Sequence, residues 1–256
     1  MIRLLKKISQ TILVIKLRNL LNIKPIIVNL KNIEKNHSIS DCFIWRTDNG
    51  YKTIFSYSDI LKNFFNIYNT SVTFHFFDNK NNFIKKFNFK NINLSNKIEI
   101  DSIFLNGVKG YGTFYIFHNS EEHIEESIRN SCYTGFSKKN SLPSFVHGNI
   151  MGAYRNFNQS SNFFTGIVGT SLLQNNIYNI QKSFKKYEKV EIFFSNSSNN
   201  IMKFKIINVG NFSLKSGESI VVNCTNLEKI SIYSNSYFCR PVAFLYNNEY
   251  IDVHHC

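Results

Sequence analysis

Histidines at the ends of predicted strands are the side chains of this chain best suited to metal or acid–base chemistry. The chain has seven histidines, and four of them end aromatic or valine-rich segments: His118, His147, His254 and His255. Alternate residues of an extended strand share a face, so Asp252 lies beside His254 while His255 points to the other side. Either of the last two histidines could therefore complete a three-nitrogen zinc or iron site with the first two. The Asp252–His254 pair could instead act as a general base.

A simpler interpretation is that each imidazole bonds a backbone carbonyl at the rim of a sheet. The spacing of the histidines matches no metalloprotease or deaminase signature. The sequence also contains no phosphate-binding loop, dinucleotide fingerprint or nucleophile elbow. We therefore expect a non-catalytic protein without a cofactor, and we keep a zinc or iron site on these histidines as the alternative.

A second group of residues surrounds a predicted junction between two domains. His147 precedes Gly148, which would let a ligand or another backbone come close, and Asn149, whose amide both donates and accepts hydrogen bonds. Arg129 and Tyr133 lie in the preceding segment. Because clefts between domains commonly hold ligands, these residues predict a binding site. The supply of Tyr, Trp and Asn side chains favours a carbohydrate as its ligand.

Positive charge is concentrated near the amino terminus. Thirty Lys and Arg against 17 Asp and Glu give the chain a net charge of +13. Residues 1–35 carry +7 of it, which leaves +6 for the other 221 residues. A basic tail of this kind predicts contact with an anionic surface. A nucleic-acid-binding domain would be basic throughout, so the charge distribution argues against nucleic acid as a partner.

Five of the eight basic residues of this tail lie within residues 1–22. The apolar residues of this segment fall largely on one stripe of a helix, with basic residues off the stripe or at its edges, and Pro25 ends the helix. The longest apolar run is far shorter than the roughly 18–20 residues that a membrane span needs. We predict an amphipathic helix on an anionic membrane surface, with docking on the rest of the protein as an equal alternative. Its basic contacts would be Arg3, Lys6, Lys7, Lys16 and Arg18.

The number and spacing of the cysteines indicate the cellular compartment of the protein. Their number is five, and no two of them have the CxxC spacing, so they indicate neither a zinc ribbon nor a disulfide scaffold. Reduced thiols inside a cell are the simplest interpretation. We expect a cytoplasmic protein that associates with membrane through its first helix.

A weak internal resemblance organises the rest of the chain. Residues 72–87 and 190–204 each combine an alternating apolar strand, an Asn-rich turn and a second alternating strand. Short strands between polar turns favour sandwiches over α/β folds. The predicted fold class is mainly β, with two tandem antiparallel β-sandwich domains of the immunoglobulin-like kind. The predicted units are a basic helix and linker at 1–35, a first sandwich at 36–119, a linker at 120–142 and a second sandwich at 143–256.

Two local signals add detail to the first predicted sandwich. Asp48-Asn49-Gly50 predicts a hairpin between its first two strands, and Ser58 is predicted to cap a short helix over 58–67.

The combined expectation is a non-catalytic binding or structural module with a carbohydrate site near the domain junction. A metal-dependent enzyme is the alternative and a nucleic-acid binder a further one. The sequence predicts no oligomeric state.

Overall fold

The computed structural model describes most of the chain from residue 37 onward. The described ranges are 37–90, 92–122, 124–130, 132–139, 141–156, 165–166, 176–180, 187–198, 201–236, 240–248 and 250–255, with 11, 13–14, 17 and 20–21 near the amino terminus. Side chains at 149–151, 154–156, 165–166 and 176 lie outside the description.

The described residues form mainly strands. In chain order these are β1 His37–Arg46, β2 Tyr51–Tyr57, β3 Thr70–Asp78, β4 Phe83–Lys90, β5 Asn96–Ile100, β6 Tyr111–Ser120, β7 Ile128–Arg129, β8 Tyr133–Lys138, β9 Ser144–His147, β10 Asn149–Asn156, β11 Thr165–Gly166, β12 Asn176–Ile180, β13 Lys189–Ser195, β14 Met202–Ile206, β15 Gly210–Leu214, β16 Ser219–Asn223, β17 Ile230–Ser234, β18 Val242–Tyr246 and β19 Ile251–His255. One short helix, α1, spans Ile60–Phe65. The prediction of a mainly β fold is confirmed.

The described strands pair into four sheets, almost entirely antiparallel. Sheet A has the order β11-β10-β1-β6-β3-β4, with β7 added in parallel beside β1. Sheet B has the order β5-β2-β8-β9, sheet C the order β16-β13-β18-β19, and sheet D the order β12-β17-β14-β15. We refer to sheets A and B as the first half of the protein and to sheets C and D as the second half.

Sheets A and B face each other across an aromatic core. Alternation along β3 directs Val72, Phe74 and Phe76 to the same side, and all three are fully buried. Phe55 of sheet B meets Phe114 of sheet A edge to face, with 4.9 Å between the ring centroids. Edge-to-face rings at this distance attract each other beyond the effect of area burial, so the abundant Phe residues of the sequence stabilise this core.

Sheets C and D enclose a second core. Phe194 of β13 stacks on Phe204 of β14 with ring centroids 4.0 Å apart. Alternate residues of β14 are buried, and Ile192 and Ile206 are fully buried in the same cluster. The alternation of apolar and polar residues therefore directs one face of sheet D inward and the other to solvent.

The internal resemblance between 72–87 and 190–204 does not correspond to equivalent hairpins. β3 and β4 pair directly, with Phe74 opposite Phe87. β13 and β14 instead belong to sheets C and D, and their side chains meet across the core. The physical reason lies in the turns. Asp78 Oδ1 accepts from the backbone N–H of Asn82 at 2.8 Å and closes a tight reversal, whereas the longer polar segment after β13 lets the chain cross between sheets.

The Asp48-Asn49-Gly50 signal also marks a corner between sheets, and the predicted hairpin is wrong. β1 belongs to sheet A and β2 to sheet B. Thr53 Oγ1 accepts from Arg46 N–H and donates to the Arg46 carbonyl, both at 2.8 Å. This hydroxyl satisfies the two backbone groups that a hairpin ladder would otherwise bond.

The predicted limits of the domains differ from the observed pairing. Within the predicted linker 120–142, β8 lies between β2 and β9 in sheet B. Beyond residue 142, β9 pairs with β8 and β10 pairs with β1. The first half therefore contains β8 from the predicted linker and β9 and β10 from the predicted second domain. The structure does not confirm the more detailed prediction of two tandem immunoglobulin-like domains.

Helix α1, Ile60–Phe65, is shorter at both ends than the predicted helix over 58–67. Asp59, rather than Ser58, is the capping residue, and its Oδ1 accepts from the N–H of Lys62 at 3.0 Å. Asn66 ends the helix in the left-handed conformation, which Asn tolerates better than most residues. Leu61 is fully buried beneath the helix.

Most of the predicted amino-terminal helix lies outside the described residues. Leu13, Val14, Leu17 and Leu20 have helical backbone, but the residues between them are not described, so no continuous helix is seen. The predicted basic contacts Arg3, Lys6, Lys7, Lys16 and Arg18 all fall outside the description. In the described part of the chain, no helix has the length and apolar character needed to cross a membrane.

Candidate functional site

The two halves meet where the outer face of β1 packs on the outer face of β13. Alternate residues of the two strands meet there: Cys42 bonds Ser195 and Arg46 pairs with Glu191, while Ile44 and Phe193 belong to one buried apolar cluster. The side chains between them on β1, Phe43 and Trp45, point into the core of the first half. Strand periodicity therefore gives β1 one face for its own core and one for the junction.

The β3–β4 turn adds a second contact between the halves. The backbone N–H of Ser219, at the start of β16, donates to the Asn79 carbonyl at 3.0 Å. Gly217 has a φ of +78° and lies so close to Asn81 that an added Cβ would overlap the amide. The positive φ favours glycine here, and the absence of a Cβ leaves room for the Asn81 amide beside the turn before β16.

Arg46 is the centre of the junction, and its side chain is fully buried. The guanidinium binds Asp48 in bidentate fashion, with Nε–Oδ1 and Nη2–Oδ2 distances of 3.0 and 2.7 Å. Its Nη2 lies 2.9 Å from Glu191 Oε2. The rings of Tyr51 and Phe244 lie 4.1 and 4.7 Å from the guanidinium carbon. Two carboxylates and two aromatic rings thus compensate the desolvation of one cation.

An open cleft of about 450 Å³ lies next to this ion pair at the surface. Its lining residues come from both halves: Lys138, Glu188, Lys189, Asn223, Thr225, Asn226 and Tyr246. We call it the junction cleft. β8 supplies Lys138, β13 supplies Lys189, and β18 supplies Tyr246, so the cleft exists only because sheet C packs on the first half.

The two lysines of the junction cleft differ in their partners. Lys189 Nζ is 2.7 Å from Glu191 Oε1 and forms an ion pair with it. Lys138 Nζ lies over the ring of Tyr246 at 4.0 Å and makes no ion pair with any described residue. Desolvation lowers the pKa of Lys138 and the neighbouring Lys189 lowers it further, while the Glu191 carboxylate offsets part of the shift. Lys138 is therefore a cation in a positive field, and a bound anion would relieve both effects.

The lining of the junction cleft suits binding more than bond breaking. Asn223 and Asn226 are exposed, and amides both donate and accept hydrogen bonds. Thr225 Oγ1 is occupied, since it accepts from Val190 N–H and donates to Asn223 Oδ1. Cations, amides and an aromatic ring can hold a polar, negatively charged ligand, and no activated nucleophile is found among the described lining residues.

Three of the residues predicted to bind ligand lie on another surface of the first half. The rings of Tyr133 and His147 are 4.4 Å apart, and both side chains are exposed. Arg129 Nε and Nη2 bind the buried Asp41 at 2.9 and 3.0 Å, which occupies that guanidinium internally. Gly148 packs on Asp41, and a Cβ there would lie 2.8 Å from the Asp41 Cβ. The close approach expected at Gly148 is therefore made by the protein itself.

Asn149 was predicted to belong to the same site. Its backbone lies opposite Cys42 in the ladder between β1 and β10, and its side chain lies outside the described residues. The surface around Tyr133 and His147 therefore contains an aromatic pair but no free cation among its described members.

The strand-end histidines do not form the predicted metal site. His118 is fully buried, and its Nε2 lies 2.8 Å from Asn130 Oδ1. Burial lowers its pKa to about 4. His255 Nε2 donates to the His147 carbonyl at 2.8 Å, as the simpler interpretation held, and His254 Nδ1 is 3.7 Å from Asp252. Across the described residues, no group of three or more His, Cys, Asp or Glu side chains could hold a metal ion.

Sequence reasoning missed the residues of the junction cleft. The sequence predicts a loop at Lys138 and a strand that ends at Tyr246, and Lys189 lies just before a predicted strand at 190–194. A weak signal existed, because Lys189 and Glu191 lie two apart on one strand and so share a face. The contact of Glu191 with Arg46 depends on the packing of distant strands, which no local pattern encodes.

Comparison with known proteins assigns no family to this chain. No protein-family model matches it, and no curated protein matches it. Among solved structures, one described as an "anti-sigma factor domain-containing protein" is similar over 82% of this chain and 79% of that chain, with 10% sequence identity and a TM-score of 0.20. A TM-score this low carries no argument about fold or function.

Proposed function

We propose that the protein is a non-catalytic binding module whose ligand occupies the junction cleft. The observation that carries the proposal is the ammonium group of Lys138. It is held at the cleft over Tyr246, it makes no ion pair with the described residues, and its pKa is lowered by its surroundings. A partly desolvated ammonium group that makes no ion pair with the described residues is well placed to bind an anionic group of a ligand.

The proposed ligand is an acidic carbohydrate, a sugar bearing carboxylate or sulfate groups. The anionic group would lie between Lys138 and Lys189, and the exposed amides of Asn223 and Asn226 offer partners for hydroxyl groups. The volume of about 450 Å³ is within the range of small-molecule sites. A neutral sugar would leave the charge on Lys138 uncompensated, so the acidic class is favoured.

The architecture that we propose to support this site is two β-sandwich modules in tandem. The two aromatic and aliphatic cores, one between sheets A and B and one between sheets C and D, support this division. The junction cleft would then be a site between modules, where bound ligand touches both. Its affinity would depend on the contact between β1 and β13.

Calorimetric titration of the full chain with acidic and neutral oligosaccharides tests the proposal. We expect binding of uronic-acid or sulfated sugars that weakens as pH rises through the lowered pKa of Lys138. Loss of one charge-assisted hydrogen bond costs about 1.5–3 kcal/mol, so Lys138→Ala should weaken binding roughly 10-fold or more.

Lys138→Arg and Lys90→Ala are the matched controls. Arg retains the cation and should retain most of the affinity. Lys90, on β4, is exposed and distant in the sheet order from the cleft, so its removal should change affinity little. Equal binding by wild type and Lys138→Ala, or a preference for neutral sugars, would refute the proposal.

A further inference from the structure

The outer face of sheet D has a composition that its inner face does not share. Because alternate residues of β12, β14, β15 and β17 point into the core, the residues between them point outward. Those outward residues are Ile177, Asn179, Lys203, Lys205, Asn211, Ser213, Ser231 and Tyr233. The set contains two lysines and no acidic residue, so this face is positively charged.

The centre of this face combines an aromatic ring with the two cations. Tyr233 lies directly opposite Lys205 in the ladder between β14 and β17. Lys205 lies opposite Asn211, and Lys203 opposite Ser213, in the ladder between β14 and β15. Directly opposed residues have Cβ atoms about 4.5–5.5 Å apart. Tyrosine, lysine and a polar side chain therefore form one continuous row across three strands.

This row is accessible. Tyr233 is 37% exposed and Ile177, beside it on β12, is 57% exposed. An open depression of about 810 Å³ extends over Lys203, Lys205, Asn211, Ser213 and Tyr233. Neither lysine makes an ion pair with a described residue, so both ammonium groups are available to an anionic partner.

We propose that the outer face of sheet D binds single-stranded nucleic acid. A base would stack on the ring of Tyr233, and the phosphates on either side would lie at Lys205 and Lys203. Residues two apart on a strand are about 6.6 Å apart, so the two ammonium groups can contact separate points of one backbone. Asn211 and Ser213 add polar contacts without sequence preference.

Charge complementarity selects this occupant. Non-specific single-strand binding uses a positively charged surface together with aromatic rings that stack with bases, and this face supplies both. Duplex nucleic acid would not expose its bases to Tyr233. The low charge of residues 36–256 argued against nucleic acid when the chain was considered as a whole, but sheet D concentrates its lysines on one side and keeps carboxylates off it.

Fluorescence anisotropy of a labelled oligothymidylate of about 12 nucleotides with the full chain tests this proposal. Two neutralised phosphates at sheet D predict a contribution of about −1.4 to the slope of the logarithm of affinity against the logarithm of salt concentration. Lys203→Ala with Lys205→Ala should remove most of that contribution. Tyr233→Ala should weaken binding about 5-fold or more, while Tyr233→Phe should retain stacking and affinity.

The control for charge is Lys52→Ala with Lys90→Ala, which removes the same charge from exposed positions of the first half. This pair should leave both affinity and slope close to wild type, and so should Lys138→Ala at the junction cleft. Absence of oligonucleotide binding would overturn the proposal, and so would an equal loss of affinity in the control pair. It would also be overturned if duplex DNA or heparin bound as tightly as the oligothymidylate and that binding were unaffected by Tyr233→Ala.

Discussion

Arg46 Nη2 and Glu191 Oε2 are 2.9 Å apart, and this ion pair joins β1 of the first half to β13 of the second. Both side chains are buried, at 0% and 6% exposure. Attraction within such a pair must offset the cost of removing two charges from water. Asp48, Lys189 and the flanking rings contribute to that balance, so the pair and its neighbours act as a unit at the junction.

Removal of one partner of this pair should strongly destabilise the protein. Glu191→Ala leaves the buried Arg46 with only Asp48 as a counter-ion, and breaking a buried pair costs about 3–5 kcal/mol of unfolding free energy. Urea denaturation measures the loss. Replacement of both residues by Met should cost less than the sum of the single changes. The exposed pair Lys97–Glu99, 3.9 Å apart, is the control, and Glu99→Ala should cost under about 1 kcal/mol.

Acid should destabilise the protein through His118. Its pKa falls from the ordinary 6.5 to about 4 because the ring is buried. Between these values the unfolded chain binds a proton on this residue and the native protein does not, so the free energy of unfolding rises with pH. The stability that depends on a neutral His118 is fully present above pH 6.5 and is lost as the pH falls toward about 4. Its size is about 3 kcal/mol.

Denaturation curves collected across this pH range measure that slope. His118→Gln should reduce the dependence of stability on pH, whatever its effect on stability near neutrality. An unchanged slope in the variant would show that other groups are responsible. NMR titration of the His118 imidazole gives an independent reading, because the ring should remain neutral at pH 6.

The aromatic core of the first half should be sensitive to truncation. Phe74 is fully buried and contacts the rings of Phe55 and Phe114, so Phe74→Ala should cost about 3–5 kcal/mol. Phe83 on β4 is 53% exposed, and Phe83→Ala should cost well under half as much. Thermal and urea denaturation compare the two, and similar losses would contradict the assignment of the core.

Two buried thiols should resist alkylation. Burial raises the pKa of Cys42 to about 11 and that of Cys132 to about 12, and the thiolate is the reactive form. At pH 8, iodoacetamide should leave both unmodified in the native protein and modify both in denaturant. Peptide mass mapping gives the extent at each cysteine, and rapid native labelling of Cys132 would contradict its burial beside Asn130.

Local pattern was sufficient to locate most strands. The sequence predicts strands at 219–223 and 242–246, and β16 and β18 occupy those ranges, Ser219–Asn223 and Val242–Tyr246. Alternation of apolar residues is a property of neighbouring positions, and it encodes which face of a strand is buried. The same signal failed at β8 and β10, where glycine, lysine and polar residues interrupt the alternation.

The amino-acid sequence by itself determined the mainly β class, the strands and their buried faces, because each follows from residues a few positions apart. Only the tertiary structure decided that β13 and β14 lie in different sheets and that β8 and β9 join the first half. It also decided that Lys138 meets Tyr246. These pairings depend on which distant surfaces exclude water best when packed together, and that free energy belongs to the whole fold rather than to any segment.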